Sequence, residues 1–186
     1  TFVLAAGAWS GELAKLIGFD LPVEPLWRDC FHFKCDQELE PLPLIKTEKD
    51  IGIRPETTGY SGGMPDWNRS AGWSFDEMPG HFENTLWPIL AELIPAFETL
   101  KVENVWQGHY ANSTLDHTAI IGPWTGGMEN IYVATGYSGH GIMQAPATGR
   151  GIAELILDGG YQTIDLTNMG YARVPAGKPY RETGIV

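Results

Sequence analysis

The segment NIYVATGYSGHGIMQAPATGRGIAELI, residues 130–156, decides the fold of this chain. It predicts a strand over residues 130–135, a glycine-rich loop over 136–141 and a helix over 146–157. Glycines let a ligand come close to the backbone, and a helix start offers free N–H groups and positive potential. The arrangement therefore suits a phosphate or an electron-rich ring. A purely structural glycine turn remains the alternative, because GYSGHG is not the GxGxxG fingerprint.

The first residues, TFVLAA, form a nearly continuous apolar run. Such a run is typical of a strand buried on both faces of a parallel sheet. Gly7 and Ala8 then predict a tight turn, and a short amphipathic helix follows until Gly18. Because a sheet strand comes first and no Met precedes it, we interpret the chain as a fragment that begins within a domain.

The middle of the chain is rich in predicted strands. Apolar patterns predict strands over residues 23–35, 51–55 and 100–110. Two more strands are predicted nearer the C-terminus, over residues 119–123 and 128–135. Residues 57–80 hold five glycines without periodicity and predict a long loop or an irregular hairpin. Residues 82–94 predict an amphipathic helix that Pro88 either kinks or truly begins.

Composition excludes several functional classes. The net charge of -11 argues against a nucleic-acid partner, because phosphates require a basic surface. No stretch approaches the roughly 20 apolar residues of a membrane span. Cys30 and Cys35 lie in one predicted strand about 16 Å apart, so no disulfide is expected. His32, His81 and His117 are too dispersed to predict a metal site.

Two motifs carry a resemblance to a known family. VLAAGAWSGELAKLIG (3–18) and the pair TLDHTAIIGP (114–123) and 130–156 resemble the FAD-dependent D-amino-acid oxidase superfamily, which includes sarcosine oxidase and glycine oxidase. Residues 94–110 and YQTIDL (161–166) are similar to a mitochondrial subgroup that assists respiratory complex I assembly, and to bacterial relatives without an assigned substrate.

The resemblance implies an α/β (α+β) fold with FAD as cofactor. Residues 1–20 and 125–160 would form the C-terminal part of an FAD-binding domain, residues 21–124 a substrate domain with a mixed or antiparallel sheet, and residues 161–186 a tail. The missing N-terminal half of the same protein would then be a partner.

The family's cofactor-binding positions fall on nine residues here. Ala6, Gly7 and Trp9 would lie beside the FAD pyrophosphate and ribityl chain, although core packing is an equal alternative for Trp9. The loop would contribute the remaining positions, of which the last four border the flavin pyrimidine: Gly136, Ser138, Gly139, His140, Gly141 and Ile142.

Candidate catalytic positions depart from the family pattern. His109 lies where sarcosine oxidases carry a flavin-linked cysteine, and the resemblance implies a polar active-site wall, covalent attachment or plain packing. Met143 replaces an oxygen-activating lysine, and Ala111 replaces a carboxylate-binding arginine. Arg54 or Arg69 could supply the missing cation, or either could be a surface charge.

The implied reaction is oxidation of a C–N bond in a small amine or amino acid. The compartment would be the cytoplasm of a bacterium or the mitochondrial matrix of a eukaryote. A flavin-bearing assembly or scaffold protein with little turnover is the alternative, which the missing arginine and lysine favour. A non-functional truncation is a third interpretation.

Overall fold

The computed structural model describes residues 1–66 and 69–181. They form two compact units: residues 1–26 together with the described residues from His109 onward, and the described residues from Trp27 to Gly108. The predicted mixed α/β fold class is confirmed, since helices accompany one mixed sheet and one with antiparallel pairs. Within the described ranges, no helix has the length and apolar character that a bilayer span requires.

The first unit contains a three-stranded sheet with the order β1-β8-β7. Its strands are β1 (Phe2–Leu4), β7 (Ile120–Pro123) and β8 (Ile131–Thr135). β1 runs parallel to β8, with Leu4 opposite Val133, and β7 runs antiparallel to β8. This pairing places the start of the chain beside the strand that precedes the glycine loop.

Two helices follow strands of this sheet in the chain: α1 (Ser10–Leu16) comes after β1, and α3 (Gly141–Leu157) comes after β8. The core contains Leu4, Ala14, Val23, Ile120 and Val133, so β1, α1 and both later strands pack together. The C-terminal segment adds Tyr171 to the same core, and its hydroxyl donates a 2.6 Å hydrogen bond to the carbonyl oxygen of Asp20. The described part of this segment contains two 3₁₀ turns, at Thr167–Met169 and Tyr171–Arg173.

Two expectations for this unit are wrong. β1 is not buried on both faces: Leu4 is in the core, whereas Phe2 and Val3 are 50% and 39% exposed. Burial in β1 therefore changes along the strand, from an exposed start at Phe2 to a buried end at Leu4. α3 begins at Gly141 rather than Pro146, because this helix accepts the proline within its second turn at the cost of one main-chain hydrogen bond.

The second unit is organised on a five-stranded sheet with the order β3-β4-β5-β2-β6. The strands are β2 (Val23–Lys34), β3 (Ile45–Lys46), β4 (Gly52–Glu56), β5 (Gly59–Gly63) and β6 (Lys101–Ser113). The chain enters this unit within β2 and leaves it within β6. β4 and β5 form an antiparallel hairpin, so part of the predicted loop over residues 57–80 is regular structure.

The predicted helix over residues 82–94 has two parts. Phe82–Leu86 is a π-helical turn, and α2 (Trp87–Leu93) follows with Pro88 in its first turn. Pro88 therefore lies in the first turn of the α-helical part, directly after the π-helical turn. Phe82, Leu86 and Leu90 pack against Phe31 and Phe33 of β2 to form the core of the second unit.

Candidate functional site

A sharp turn follows β1 and ends at the first residue of α1. Gly7 has φ +56°, a conformation that disfavours side chains, and a Cβ there would meet nothing within 4 Å. The Thr135 hydroxyl donates to the Gly7 carbonyl oxygen at 3.2 Å and lies 2.8 Å from Ser10 Oγ. Since Thr135 has one proton to donate, the Ser10 hydroxyl donates to it. The turn is thus fixed by the last residue of β8.

The glycine-rich loop starts directly after Thr135. Gly136, Ser138 and Gly139 have φ values of +74°, +50° and +108°. Ser138 N–H donates to the Ala111 carbonyl oxygen at 2.9 Å, and Ser138 Oγ accepts the N–H of Ser113 at 3.0 Å. The end of β6 therefore fixes the loop through two hydrogen bonds to Ser138.

Tyr110 packs directly on Gly139. A Cβ built on Gly139 would lie 2.8 Å from Cζ of that ring, so a side chain has no room there. The loop thus requires glycine at this position for two reasons, its positive φ and the contact with the ring.

The start of α3 is open. Ile142 and Met143 are 91% and 69% exposed, and no side chain of the described residues caps the helix. The first N–H groups of an α-helix have no partner within it and carry partial positive charge. They are available to an electron-rich acceptor.

The turn and the loop border one cleft of about 420 Å³. One side is lined by Val3, Ala5 and Gly7, and the other by residues of the loop, β8 and α3: Ala134, Tyr137, Gly141, Ala145, Thr148, Gly149 and Ile152. Burial raises the pKa of Tyr137, and a hydrogen bond with Thr148 partly offsets the effect. The cleft is mainly apolar, with main-chain groups at its glycines, and such a surface fits a flat aromatic ring.

The predicted cofactor positions separate into two sets. Gly7 and Gly141 line the cleft, and Ala6 precedes Gly7 in the turn. Trp9 is 54% exposed rather than packed in the core. In contrast, Ser138 is 2% exposed and its hydroxyl is used inside the loop, so its role is in holding the loop.

The remaining predicted positions in the loop also differ in their exposure to solvent. Gly136 is buried, Gly139 is exposed, and His140 is half-buried directly before α3.

The predicted catalytic residues belong to different elements of the fold. His109 is half-buried on β6, directly before Tyr110 in the chain. Arg54 is on β4 of the second unit, where its Nη2 lies 2.8 Å from Glu56 Oε2. Arg69, in the same unit, stacks 3.6 Å above the Trp27 ring. Arg54 is therefore paired with a carboxylate, whereas Arg69 forms no ion pair with a carboxylate of the described residues.

Sequence reasoning missed Thr135 and Tyr137. Thr135 is a polar residue at the end of a buried strand, directly before a glycine, and that position was a usable signal. Among the described residues no group of three or more His, Cys, Asp or Glu side chains is placed to hold a metal ion.

Several known proteins are similar to this chain in sequence. A sequence profile for the family described as "FAD dependent oxidoreductase" matches residues 1–155. FAD-dependent oxidoreductase domain-containing protein 1 of Bos taurus is 38% identical over 207 residues, covering 99% of this chain and 41% of that protein. Glycine oxidase of Pseudomonas aeruginosa is 31% identical over 155 residues, covering 83% of this chain and 41% of that protein.

Solved structures share the fold. L-proline dehydrogenase from P. horikoshii superposes with a TM-score of 0.81 at 22% identity, over 96% of this chain and 48% of that one. Glycine oxidase from Geobacillus kaustophilus gives a TM-score of 0.73 at 22% identity, over 90% of this chain and 44% of that one. The chain spans less than half the length of these relatives.

Proposed function

Because this chain belongs to the family of FAD dependent oxidoreductases, we propose that it forms the flavin-facing part of an enzyme that oxidises a C–N bond in an amine or amino acid. Glycine oxidase and L-proline dehydrogenase, named among its relatives, are enzymes of amino acids. The assignment of the first unit to FAD binding and of the second to the substrate is part of this proposal.

One observation supports the proposal above all others: the Gly7 turn and the glycine-rich loop border the same cleft. Gly7 and Gly141, far apart in sequence, thus present backbone without side chains to one space. Ligands with extended flat surfaces need such close approach of the backbone. The family's cofactor has a flat ring system of this kind, so the residues present fit it.

Different residues of the cleft would contact different parts of the cofactor. The N–H groups at the start of α3 would donate to the electron-rich end of the ring, where the helix dipole stabilises negative charge. Gly7, held by Thr135, would let the linking chain pass close to the backbone. Tyr137, its pKa raised by burial, stays a neutral phenol at ordinary pH. FAD, when bound, supplies the acceptor for the hydride that leaves the substrate carbon.

A second segment of polypeptide is part of the proposal. The chain lacks a GxGxxG fingerprint, so we propose that the adenine half of FAD is held by the part of the protein that precedes these residues. Phe2 and Val3, exposed beside the cleft, would pack against that segment. The chain by itself should therefore bind FAD poorly. Stoichiometric binding at micromolar affinity by residues 1–186 would contradict this.

The substrate's anionic group, where it has one, needs a cation. Ala111 and Met143 cannot supply it, and Arg54 is paired with Glu56. Arg69 is the better candidate, because its guanidinium stacks on the Trp27 ring and donates to the Trp27 carbonyl oxygen at 3.4 Å, contacts that leave its positive charge without a carboxylate among the described residues.

The test is anaerobic reduction of the flavin-loaded protein, at the length of its relatives, by a panel of secondary amines and amino acids. The proposal predicts that at least one of them bleaches the visible flavin band. A yellow protein that no member of the panel bleaches would instead support a flavin-bearing scaffold, the second candidate, which the uncharged residues at positions 111 and 143 favour. A protein that holds no flavin at all would overturn both.

A further inference from the structure

A buried carboxylate joins the C-terminal segment to the end of β6. Asp116, 5% exposed, accepts hydrogen bonds at Oδ1 from Ser113 Oγ at 3.0 Å and from Thr118 N at 3.1 Å. At Oδ2 it accepts from the Arg173 guanidinium and, at 2.7 Å, from Tyr180 N. Four donors therefore fix its orientation.

Arg173 is itself held in one place. It is 8% exposed, and its Nη2 donates to the carbonyl oxygens of Thr118 at 2.9 Å and Ala119 at 3.0 Å, while Nη1 contacts Asp116. A charge is tolerated at such burial when it is paired and hydrogen-bonded, and removing one partner leaves the other charge uncompensated. The position of Asp116 thus depends on this arginine.

The hydrogen bonds continue from Asp116 into the glycine-rich loop. Ser113, which donates its hydroxyl to Asp116, donates its N–H to Ser138 Oγ at 3.0 Å. Ser138 Oγ in turn donates to the Gly136 carbonyl oxygen at 3.2 Å. An unbroken path of polar contacts thus runs from the tail to the loop.

The loop needs such support. Ser138 has φ +50°, a region that costs free energy for a residue with a side chain and persists when surrounding contacts impose it. Those contacts come from Ser113 and Ala111, at the end of β6.

We propose that Arg173 and Asp116 are positioning residues, which set the conformation of residues 136–141 through Ser113 and Ser138. Their relevance to catalysis rests on the proposed function, in which this loop faces the flavin. The positioning itself belongs to the folded chain and is testable without cofactor.

Glu154 supplies a matched control. It is also 5% exposed and also binds the tail, accepting Gln162 N at 2.7 Å and Thr163 Oγ1 at 2.6 Å. Its hydrogen bonds join the tail to the body of α3, and among the described residues none of them reaches the loop. A general loosening of the tail would follow from loss of either residue, whereas loosening of the loop would follow from loss of Arg173.

Amide hydrogen exchange measures this difference, in the protein with and without FAD. Arg173→Gln should speed exchange across residues 136–141 by about tenfold or more, the factor for losing one charged hydrogen bond. Glu154→Gln should leave exchange in this segment unchanged. Unchanged exchange in Arg173→Gln, or equal acceleration in both variants, would overturn the proposal.

A second variant keeps the test decisive if Arg173→Gln does not fold. Ser113→Ala leaves the Arg173–Asp116 pair in place and removes the hydroxyl that links Asp116 to β6. It should also speed exchange across residues 136–141, and full protection of that segment would count against the path. In the flavin-loaded protein, Arg173→Gln should shift the visible absorption and circular dichroism of the flavin, and Glu154→Gln should not. A wild-type protein without flavin would refute the proposed function, and the exchange result would still decide the positioning.

Discussion

The Thr135 hydroxyl lies 3.2 Å from the carbonyl oxygen of Gly7, to which it donates a hydrogen bond across 128 residues of sequence. This contact joins the turn after β1 to the strand that leads into the glycine-rich loop. The two segments that border the cleft are thereby held at a fixed separation. The geometry of the candidate site thus depends on a side chain that the sequence patterns do not identify.

Thr135→Val should destabilise the protein and weaken flavin binding. The substitution keeps the shape but leaves the Gly7 carbonyl and the buried Ser10 hydroxyl without this partner, a loss of about 1–3 kcal/mol. Urea denaturation measures the change in free energy of unfolding. Thr118→Val is the control and should cost less, since among the described residues the Thr118 hydroxyl makes one long contact, 3.5 Å to the Asp116 carbonyl oxygen. Equal losses in the two variants would refute the role of Thr135.

Gly139→Ala should disrupt the loop. The residue has φ +108°, and its new Cβ would lie 2.8 Å from the Tyr110 ring, so strain of about 1–3 kcal/mol is expected before the ring moves. Gly149→Ala is the matched control, because a Cβ within α3 there meets nothing within 4 Å and should raise stability by up to about 1 kcal/mol. Thermal unfolding of both variants gives the comparison. A neutral Gly139→Ala would contradict the described contact.

Glu154 should make stability depend on acid pH. Hydrogen bonds from the Thr163 hydroxyl, the Gln162 N–H and the Arg150 side chain lower its pKa to about 2, from an ordinary value of 4.5. Its contribution is therefore fully present above pH 4.5 and is lost as the pH falls toward 2. The measurement is the free energy of unfolding against pH.

In that series, Glu154→Gln should flatten the decline between pH 4.5 and 2. Glu92→Gln, which alters an exposed carboxylate 3.5 Å from Lys49, should leave the decline as in the wild type. If both variants follow the wild-type curve, the carboxylate of Glu154 does not have its proposed role.

Arg69→Gln should raise KM for a carboxylate-bearing substrate by about tenfold or more, because it removes a charged hydrogen-bond donor. Its effect on kcat should be smaller, since the group binds the substrate away from the reacting bond. Arg54→Gln is the control and should change KM little, as Glu56 already holds that guanidinium. Steady-state kinetics of the flavin-loaded protein test this. A larger KM effect from Arg54 than from Arg69 would reverse the assignment.

The sequence predicted the elements whose patterns are local. The apolar run before Gly7 and the strand before Gly136 can be predicted because the pattern lies in consecutive residues, and both strands are present. Polar contacts between residues far apart in sequence cannot be predicted in this way. Nothing in the spacing of Asp116 and Arg173 indicates that these residues, 57 apart, form one buried pair.

Other differences have local physical causes. β3, at Ile45–Lys46, is two residues long and follows two prolines, so its pairing with β4 rather than its own pattern defines it. Proline usually marks the beginning of a helix, so the sequence predicts a later start for α3 than Gly141, where the helix begins in the structure. Phe2 and Val3 belong to an apolar run that predicts burial, yet the described residues leave both of them partly exposed.

The most direct test of the central claim is amide hydrogen exchange of residues 3–9 and 136–143 in the complete protein, before and after FAD is bound. If the flavin lies on the main chain of the Gly7 turn and the glycine-rich loop, both segments become protected together. Bound flavin that leaves exchange in both segments unaltered would contradict the claim.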